Sequence, residues 1–118
     1  MRTENMGTDL LQRLLAATEL RARVISSNIA NQSTPGYTRR VVDFEDQLRK
    51  AMETSNPRID AFEPEVRLDV DSPARPDGNN VTLELELNAM RENRMLYETY
   101  AAVLQGHFRL LEAAITQN

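Results

Sequence analysis

The side chains that most often carry out chemistry are sparse in this chain. It has one histidine, His107, and no cysteine, which excludes a multi-histidine metal site, a thiolate metal site and a cysteine nucleophile. Closely spaced carboxylates of the kind used in acid–base catalysis occur at Asp43, Glu45 and Asp46, and again at Asp69 and Asp71. No nucleophile or phosphate-binding glycine loop accompanies them, so we interpret them as solvated surface. We predict no catalytic, cofactor-binding or metal site, and therefore no enzyme.

Charge and hydropathy exclude two further classes of partner. With 14 basic and 18 acidic residues the formal net charge is -4, and the adjacent Arg39 and Arg40 are too isolated to indicate a nucleic-acid interface. No apolar run approaches the roughly 20 residues that span a bilayer. The apolar stretch from Leu10 to Ala17 is interrupted by Gln12 and Arg13, which is not typical of a cleaved secretory signal. If the chain leaves the cytoplasm, we expect it to do so without a cleaved signal peptide.

The positions of proline divide the single domain, residues 1–118, into three parts. Four of the five prolines fall between Pro57 and Pro76, whereas residues 8–31 contain neither Gly nor Pro. We predict an N-terminal helix over 8–32 with Thr8 as N-cap, an extended loop over 33–81, and a C-terminal helix over 82–116 with Thr82 as N-cap.

Both terminal segments carry an apolar stripe with alternating spacings of three and four, which is typical of a coiled-coil seam. The predicted fold is all-α, with the two long terminal helices pairing as an antiparallel coiled coil. The predicted seam consists of Leu15, Ala22, Ile25, Ile29, Leu87, Met90, Tyr97, Ala101, Leu104, Phe108, Leu111 and Ile115.

A second stripe follows the opposite side of each helix. On the C-terminal helix its main members are Leu96, Val103 and Leu110, and on the N-terminal helix they are Leu10, Ala17, Leu20 and Val24. A helix that packs on one side needs a single apolar stripe, so this pattern predicts neighbours on two sides and assembly with other subunits. A three- or four-helix bundle, and a helical chaperone or regulator that binds partner helices, are the alternatives.

The middle of the chain offers weaker signals. Residues 47–76 are charged, punctuated by proline and poor in large apolar residues, which favours an extended or partly disordered segment. At most short strands are predicted, around Ala61 to Phe62 and around Val66 to Val70, and Phe44 to Met52 is the one helix-like stretch.

A more specific signal follows the N-terminal helix. Asn31 can end the helix, Thr34 precedes proline, and Pro35-Gly36 fits the two central positions of a type II turn. With its neighbours this segment resembles the A-N-N-I-A-N-x-x-T-P-G-Y motif of the axial proteins of the bacterial flagellum. The matching residues are Asn28, Ile29, Ala30, Asn31, Thr34, Pro35, Gly36 and Tyr37. The run from Asp77 to Leu83, together with Glu92-Asn93, Tyr97 and Leu104, looks like the proximal rod protein B members of the basal-body rod family.

This resemblance implies a structural subunit of the proximal rod, the drive shaft that crosses the periplasm, without catalytic activity. It implies export through the flagellar type III apparatus without cleavage. The implied partners are other rod subunits and the basal-body membrane ring or its adaptor, with self-association possible. It places the motif at subunit contacts and implies no cofactor, no nucleic acid, no small-molecule substrate and no membrane insertion.

Overall fold

The structure, a computed structural model, describes residues 2–54 and 62–116 of the chain. Its elements are helix α1 over Arg2–Ala30, strand β1 over Arg40–Val42, helix α2 over Phe44–Met52, strand β2 over Val66–Leu68, and helix α3 over Leu83–Thr116. The prediction of two long terminal helices joined by a middle segment is confirmed. Within the predicted loop over 33–81, the structure has a helix at the helix-like stretch and one small sheet.

Helix α1 begins earlier than predicted and ends close to the predicted position. It starts at Arg2, so Thr8 lies inside the helix and is not its N-cap. Gly7 does not prevent this, since an internal glycine costs a helix only about 1 kcal/mol. At the other end Ala30 is the last helical residue, and the Asn31 N–H donates to the Ser27 carbonyl at 3.1 Å.

Helix α3 begins where the capping signal placed it. The Thr82 carbonyl accepts a hydrogen bond from the Glu86 N–H at 3.0 Å, which is the first bond of the helix, and Leu83 is the first helical residue. Glu84 and Glu86 lie in the first turn, where negative charge complements the helix dipole.

Helices α1 and α3 lie side by side and run in opposite directions. Two hydrogen bonds establish this arrangement: Asn28 Nδ2 donates to Glu86 Oε2 at 3.2 Å, and Asn93 Nδ2 donates to the Thr18 carbonyl at 2.8 Å. The residue of α1 that is earlier in the sequence, Thr18, therefore pairs with the later residue of α3, Asn93. This order shows that the two helices are antiparallel. The molecule is elongated, with principal extents of 67 × 30 × 14 Å.

The middle segment supplies half of a small apolar core. Buried Val42, Phe44 and Phe62 pack in one cluster with α1, whose members are Leu10, Leu14, Ala17, Leu20 and Val24. The rings of Phe44 and Phe62 meet edge to face, with centroids 6.5 Å apart. Most of the second stripe of α1, which we expected to need another subunit, is therefore covered by this chain itself. The middle segment achieves this with a few large side chains and not with a continuous apolar pattern.

Strand pairing and helix α2 hold these side chains in place. Strands β1 and β2 are antiparallel, with Val41 opposite Arg67. Strand β2 falls within the strand predicted around Val66 to Val70. Of the strand predicted around Ala61 to Phe62, Ala61 lies outside the described residues and Phe62 is not in a strand. Helix α2 spans the predicted stretch, with acidic residues in its first turn and basic residues in its last. The Arg21 guanidinium lies 4.2 Å from the centre of the Phe44 ring and pairs with Glu45, which ties α2 to α1.

Replacing Phe44 tests whether the middle segment is part of the core. Because Phe44 is fully buried, Phe44→Ala is expected to lower the free energy of unfolding by about 3 to 5 kcal/mol. Met52 on the same helix is exposed, so Met52→Ala serves as the control and is expected to change it by less than about 0.5 kcal/mol. Urea denaturation followed by circular dichroism measures both. Equal effects of the two substitutions would contradict the packing described.

Candidate functional site

The motif after α1 lies in a densely hydrogen-bonded cluster, which we call the polar junction. Here the end of α1, the turn that follows it, the start of β1, the loop after β2 and the start of α3 converge. Its members are Asn28, Tyr37, Arg39, Asp69, Asn79, Asn80 and Glu86. Asn28, Asn79 and Glu86 are completely buried.

The Pro-Gly turn has the geometry predicted from the sequence. Gly36 has a φ of 76°, and the Tyr37 N–H donates to the Thr34 carbonyl at 3.2 Å, as expected for a type II turn. A second turn packs against it: the Gly36 N–H donates to the Asp77 carbonyl at 2.8 Å, and Gly78 has a φ of 86°. A Cβ atom on Gly78 would lie 3.2 Å from the Gly36 Cα, so the two backbones meet at a distance that glycine permits.

Asn79 binds the turn that follows α1 from a distant part of the chain. Its Nδ2 donates to the carbonyls of Asn31, Gln32 and Thr34 at 2.8, 3.2 and 2.9 Å. All three carbonyls belong to residues after Ala30, so Asn79 holds the turn and not the helix itself. The Oδ1 of Asn79 accepts from the Val81 N–H at 2.7 Å, which orients the amide.

Asn28 joins α1 to β1 and α3. Its Oδ1 accepts from the Arg40 N–H at 2.9 Å and from the Tyr37 hydroxyl at 3.2 Å. Its Nδ2 donates to the Arg40 carbonyl at 2.8 Å and to Glu86. The side chain thus binds both backbone groups of Arg40, as a neighbouring strand would, while it also contacts the first turn of α3.

Three charged residues cross the junction. Arg39 donates from Nε to Glu86 Oε1 at 2.7 Å and from Nη1 to Asp69 Oδ2 at 2.5 Å. Burial alone would lower the pKa of Arg39, but the hydrogen bonds with Glu86 and Asp69 outweigh it and raise that pKa above its usual value. The pKa of Asp69 lies well below its usual value, chiefly because the Ser72 hydroxyl donates to it, with Arg39 and the N–H groups of Ser72 and Asp71 acting in the same direction.

Asn80 completes the link between the strands and α3. Its Oδ1 accepts from the Arg39 N–H at 2.7 Å, and its Nδ2 donates to the Asp69 carbonyl at 2.7 Å. From the sequence, the run containing Asn79 and Asn80 supported the family resemblance, and no contact was predicted for either side chain. Two adjacent asparagines between a turn and an N-cap were the available signal, but their distant partners are not visible in a single sequence.

The motif residues differ in their exposure. Asn28 is buried, Ile29, Asn31 and Tyr37 are half-buried, and Ala30, Thr34, Pro35 and Gly36 are exposed. The polar junction therefore presents the turn at the surface while the asparagines hold it from beneath.

The line along which α3 meets α1 lies between the two predicted stripes. Its members recur every seven residues and are polar: Glu86 and Asn93 are buried, and Tyr100 and His107 are half-buried. Asn93 Oδ1 has no hydrogen-bond partner within the described part of the chain. Such a polar side chain in a helix interface sets the register at a cost in stability.

The predicted stripe residues lie along the two edges of this line. In the predicted seam, Ile25 is buried, Leu15, Ala22, Ile29, Met90, Ala101, Leu104 and Leu111 are half-buried, and Leu87, Tyr97, Phe108 and Ile115 are exposed. In the outer stripe, Leu96 is half-buried, and Val103 and Leu110 are exposed.

The polar junction holds the surrounding backbone in place, and its side chains are not arranged for catalysis. The hydrogen-bonding groups of the polar junction bind one another or the backbone, and no nucleophile is among them. Within residues 2–54 and 62–116, no cluster of His, Cys, Asp and Glu could hold a metal ion. Nor does any helix in these ranges have the length and apolarity needed to cross a membrane.

Comparison with known proteins agrees with this structural role. A profile described as flagella basal body rod protein matches residues 13–38, the segment from the middle of α1 through the Pro-Gly turn. The chain is 30% identical over 129 residues to the flagellar basal body rod protein FlgB of Borrelia hermsii, covering 93% of the chain and 96% of that relative. The chain belongs to the FlgB family of flagellar basal body rod proteins.

Other FlgB proteins are similar over most of the chain. The one from Yersinia enterocolitica is 33% identical, with 82% of the chain and 84% of the relative covered. The one from Bacillus subtilis is 25% identical, with 90% of each covered. The family is structural, and the chain is not an enzyme.

Removing the Asn79 amide tests its hold on the turn after α1. Asn79→Ala removes three hydrogen bonds to the backbone of this turn and leaves the buried Val81 N–H without its acceptor, and we expect it to lower the free energy of unfolding by about 2 to 3 kcal/mol. Asn88→Ala is the matched control, since Asn88 lies on α3 with its side chain exposed. Urea denaturation measures the two variants, and a loss no larger than that of Asn88→Ala would contradict this role.

Acidification tests the charged part of the junction. Because the pKa of Asp69 is lowered in the folded state, the unfolded state binds more protons in acid, so this stabilisation is present above about pH 4 and is lost as the pH falls further. We expect Asp69→Asn to have a shallower loss of stability below pH 4 than the wild type. Asp46 is the control: its pKa is lowered by Arg49, but this pair is exposed and screened, so Asp46→Asn should change the slope less. Identical slopes for wild type and Asp69→Asn would contradict this role.

Proposed function

We propose that the chain is a subunit of the proximal rod of the flagellar basal body and that it assembles with neighbouring rod subunits through its terminal helices. The relatives are named as basal body rod proteins, and the polar junction is suited to holding a shape. None of these names supports the chaperone or regulator considered from the sequence.

One observation carries the assembly proposal. Beyond the region covered by the middle segment, α3 carries large apolar side chains that remain in solvent: Phe108 is 48%, Val103 52%, Leu110 72% and Ile115 77% exposed. Exposed apolar residues recurring along one helix are typical of a surface that another subunit covers. A rod subunit in a continuous shaft has such neighbours.

The helix pair itself is proposed to be an antiparallel coiled coil. The opposite directions of α1 and α3 and the seven-residue recurrence of Glu86, Asn93, Tyr100 and His107 support it, because heptad recurrence is the mark of supercoiled packing. The predicted seam and outer stripe would then flank this polar line, and the exposed members of both would meet other subunits.

The partners, location and export route extend the proposal. Other rod subunits and the basal-body membrane ring or its adaptor are the proposed neighbours, in the part of the rod that crosses the periplasm. Export without cleavage of a signal peptide is the proposed route, because the apolar stretch from Leu10 to Ala17 lies within helix α1 and is interrupted by Gln12 and Arg13.

Val103→Asp tests assembly, because a carboxylate at this exposed position leaves the isolated fold intact but would be buried without a partner in an interface. In a host strain that lacks the gene, we expect this variant to lose swimming in soft agar and to be absent from purified basal bodies. Gln105→Asp, also exposed on α3, is the control and should restore both. Circular dichroism verifies that both variants keep wild-type helicity. Normal incorporation of Val103→Asp would contradict the proposal.

A further inference from the structure

Strand β2 forms the outer edge of the small sheet. Its inner side pairs with β1, and the far side of β1 is occupied by the side chain of Asn28, which binds both backbone groups of Arg40. Within the described residues the sheet has only these two strands. The outer edge of β2 is therefore free of a neighbouring strand.

The strand register shows which backbone groups of β2 face this free edge. In an antiparallel pair, residues that hydrogen-bond across the pair alternate with residues whose N–H and C=O groups point outward. The Asp69 N–H donates to the Arg39 carbonyl at 2.9 Å, so these two residues bond across the pair. The next residue pair joins Arg40 to Leu68, and Arg40 uses its backbone groups on the far side of β1. The N–H and C=O groups of Leu68, and of Val66 two residues earlier, therefore point away from β1.

The outer edge is also apolar and has little of the usual protection. Val66 is 46% exposed, Leu68 is 52% exposed and Val70, just after the strand, is 79% exposed. Free edges in soluble proteins generally carry charged side chains, bulges or prolines that prevent pairing with another chain. The one charged residue of β2, Arg67, is turned to Asp43, with its Nε donating to Oδ2 at 2.9 Å. The edge is therefore open to a further strand.

Two prolines limit the length of this edge. Pro64 precedes β2 and Pro73 follows it, and proline lacks the N–H that a strand ladder requires. Pairing is thus confined to the residues between them, a length of roughly 25 Å at about 3.3 Å per residue. A short extended segment fits such an edge.

The exposed charges at the two ends of the edge are acidic. Glu63 and Glu65 precede β2 and Asp71 follows it, and all three side chains are exposed. Arg40 is exposed too, but it lies on β1, so the backbone of an added strand would be two strand spacings, about 10 Å, from it. Salt largely screens exposed charges at that separation. An added strand would meet mainly negative charge at its two ends.

We propose that the outer edge of β2 binds a short extended segment of another protein, which joins the sheet as a third strand. This segment carries apolar side chains at alternate positions and basic residues at its ends. Its backbone bonds the outward N–H and C=O groups of Val66 and Leu68, and its apolar side chains cover those of the same two residues. The carboxylates at the ends of the edge favour a basic segment over an acidic one.

This binding activity is separate from assembly through the terminal helices, and the isolated full chain is sufficient to test it. The probe is a synthetic peptide of alternating valine and threonine with lysine at both ends. We expect saturating peptide to slow hydrogen exchange of the Val66 and Leu68 amides roughly tenfold or more, as measured by NMR. The Asp69 N–H already donates to Arg39, so it is the internal reference and should change little.

Two substitutions at one exposed position separate backbone pairing from side-chain contact. Leu68→Pro removes the outward N–H, and proline is tolerated where the N–H of an edge strand faces solvent, so we expect this variant to lose peptide binding. Leu68→Thr keeps the N–H and is the matched control, which should still bind. Protection of the Asp69 amide verifies that β1 and β2 remain paired in both variants.

The charge preference has its own control. A peptide with glutamate in place of lysine at both ends should bind the wild type roughly tenfold more weakly. The triple variant Glu63→Gln/Glu65→Gln/Asp71→Asn changes only exposed side chains and should bind the two peptides equally.

Several results would overturn the inference. These are unchanged exchange of the Val66 and Leu68 amides at saturating peptide, equal binding by Leu68→Pro and Leu68→Thr, or equal binding of the two peptides by the wild type. Exchange of these amides that slows in the chain alone as its own concentration rises would also contradict it, because a second copy would then occupy the edge.

Discussion

The buried carboxylate of Glu86 is the constraint on which the arrangement of the two long helices depends. A charge removed from water costs several kcal/mol unless it is paired and hydrogen-bonded, and here Arg39 and Asn28 bind its two oxygens. Since Arg39 directly precedes β1 and Asn28 lies near the end of α1, these bonds fix the start of α3 relative to the motif. Asn79 and Asn80 then hold the intervening loops around this pair.

The rest of the structure reflects how little apolar surface this small chain can bury alone. Three large side chains of the middle segment, Val42, Phe44 and Phe62, cover one side of the helix pair, and several large apolar residues of α3, such as Val103 and Leu110, stay in solvent. A chain of 118 residues with 5% aromatic residues has few large side chains with which to close a second side. Rigidity at the polar junction and exposure along α3 are consistent with one subunit of a larger assembly, in which neighbours bury what the isolated chain leaves open.

Signals carried by neighbouring residues were sufficient to predict where several helices and one turn lie. The end of α1, the start of α3, the Pro35-Gly36 turn and the extent of α2 follow from proline positions, capping residues and spacing along the chain. The packing of Phe62 against α1 and the bonds of Asn79 to the carbonyls after α1 could not be predicted in this way, because each joins residues far apart in the sequence. The apolar stripes were predicted to face neighbouring helices, whereas a polar line of residues between them faces α1.

The amide protons of Arg40 and Val81 provide the most direct test that side-chain amides hold the junction together. Both N–H groups donate to asparagine side chains, to Oδ1 of Asn28 and of Asn79, in a region without a long helix or a large sheet to protect them. Hydrogen exchange followed by NMR should find both amides protected nearly as strongly as the centre of α1, with protection of Arg40 lost in Asn28→Ala and that of Val81 lost in Asn79→Ala. Exchange of these two amides in the wild type at the rate of an unstructured peptide would contradict the central role of the polar junction.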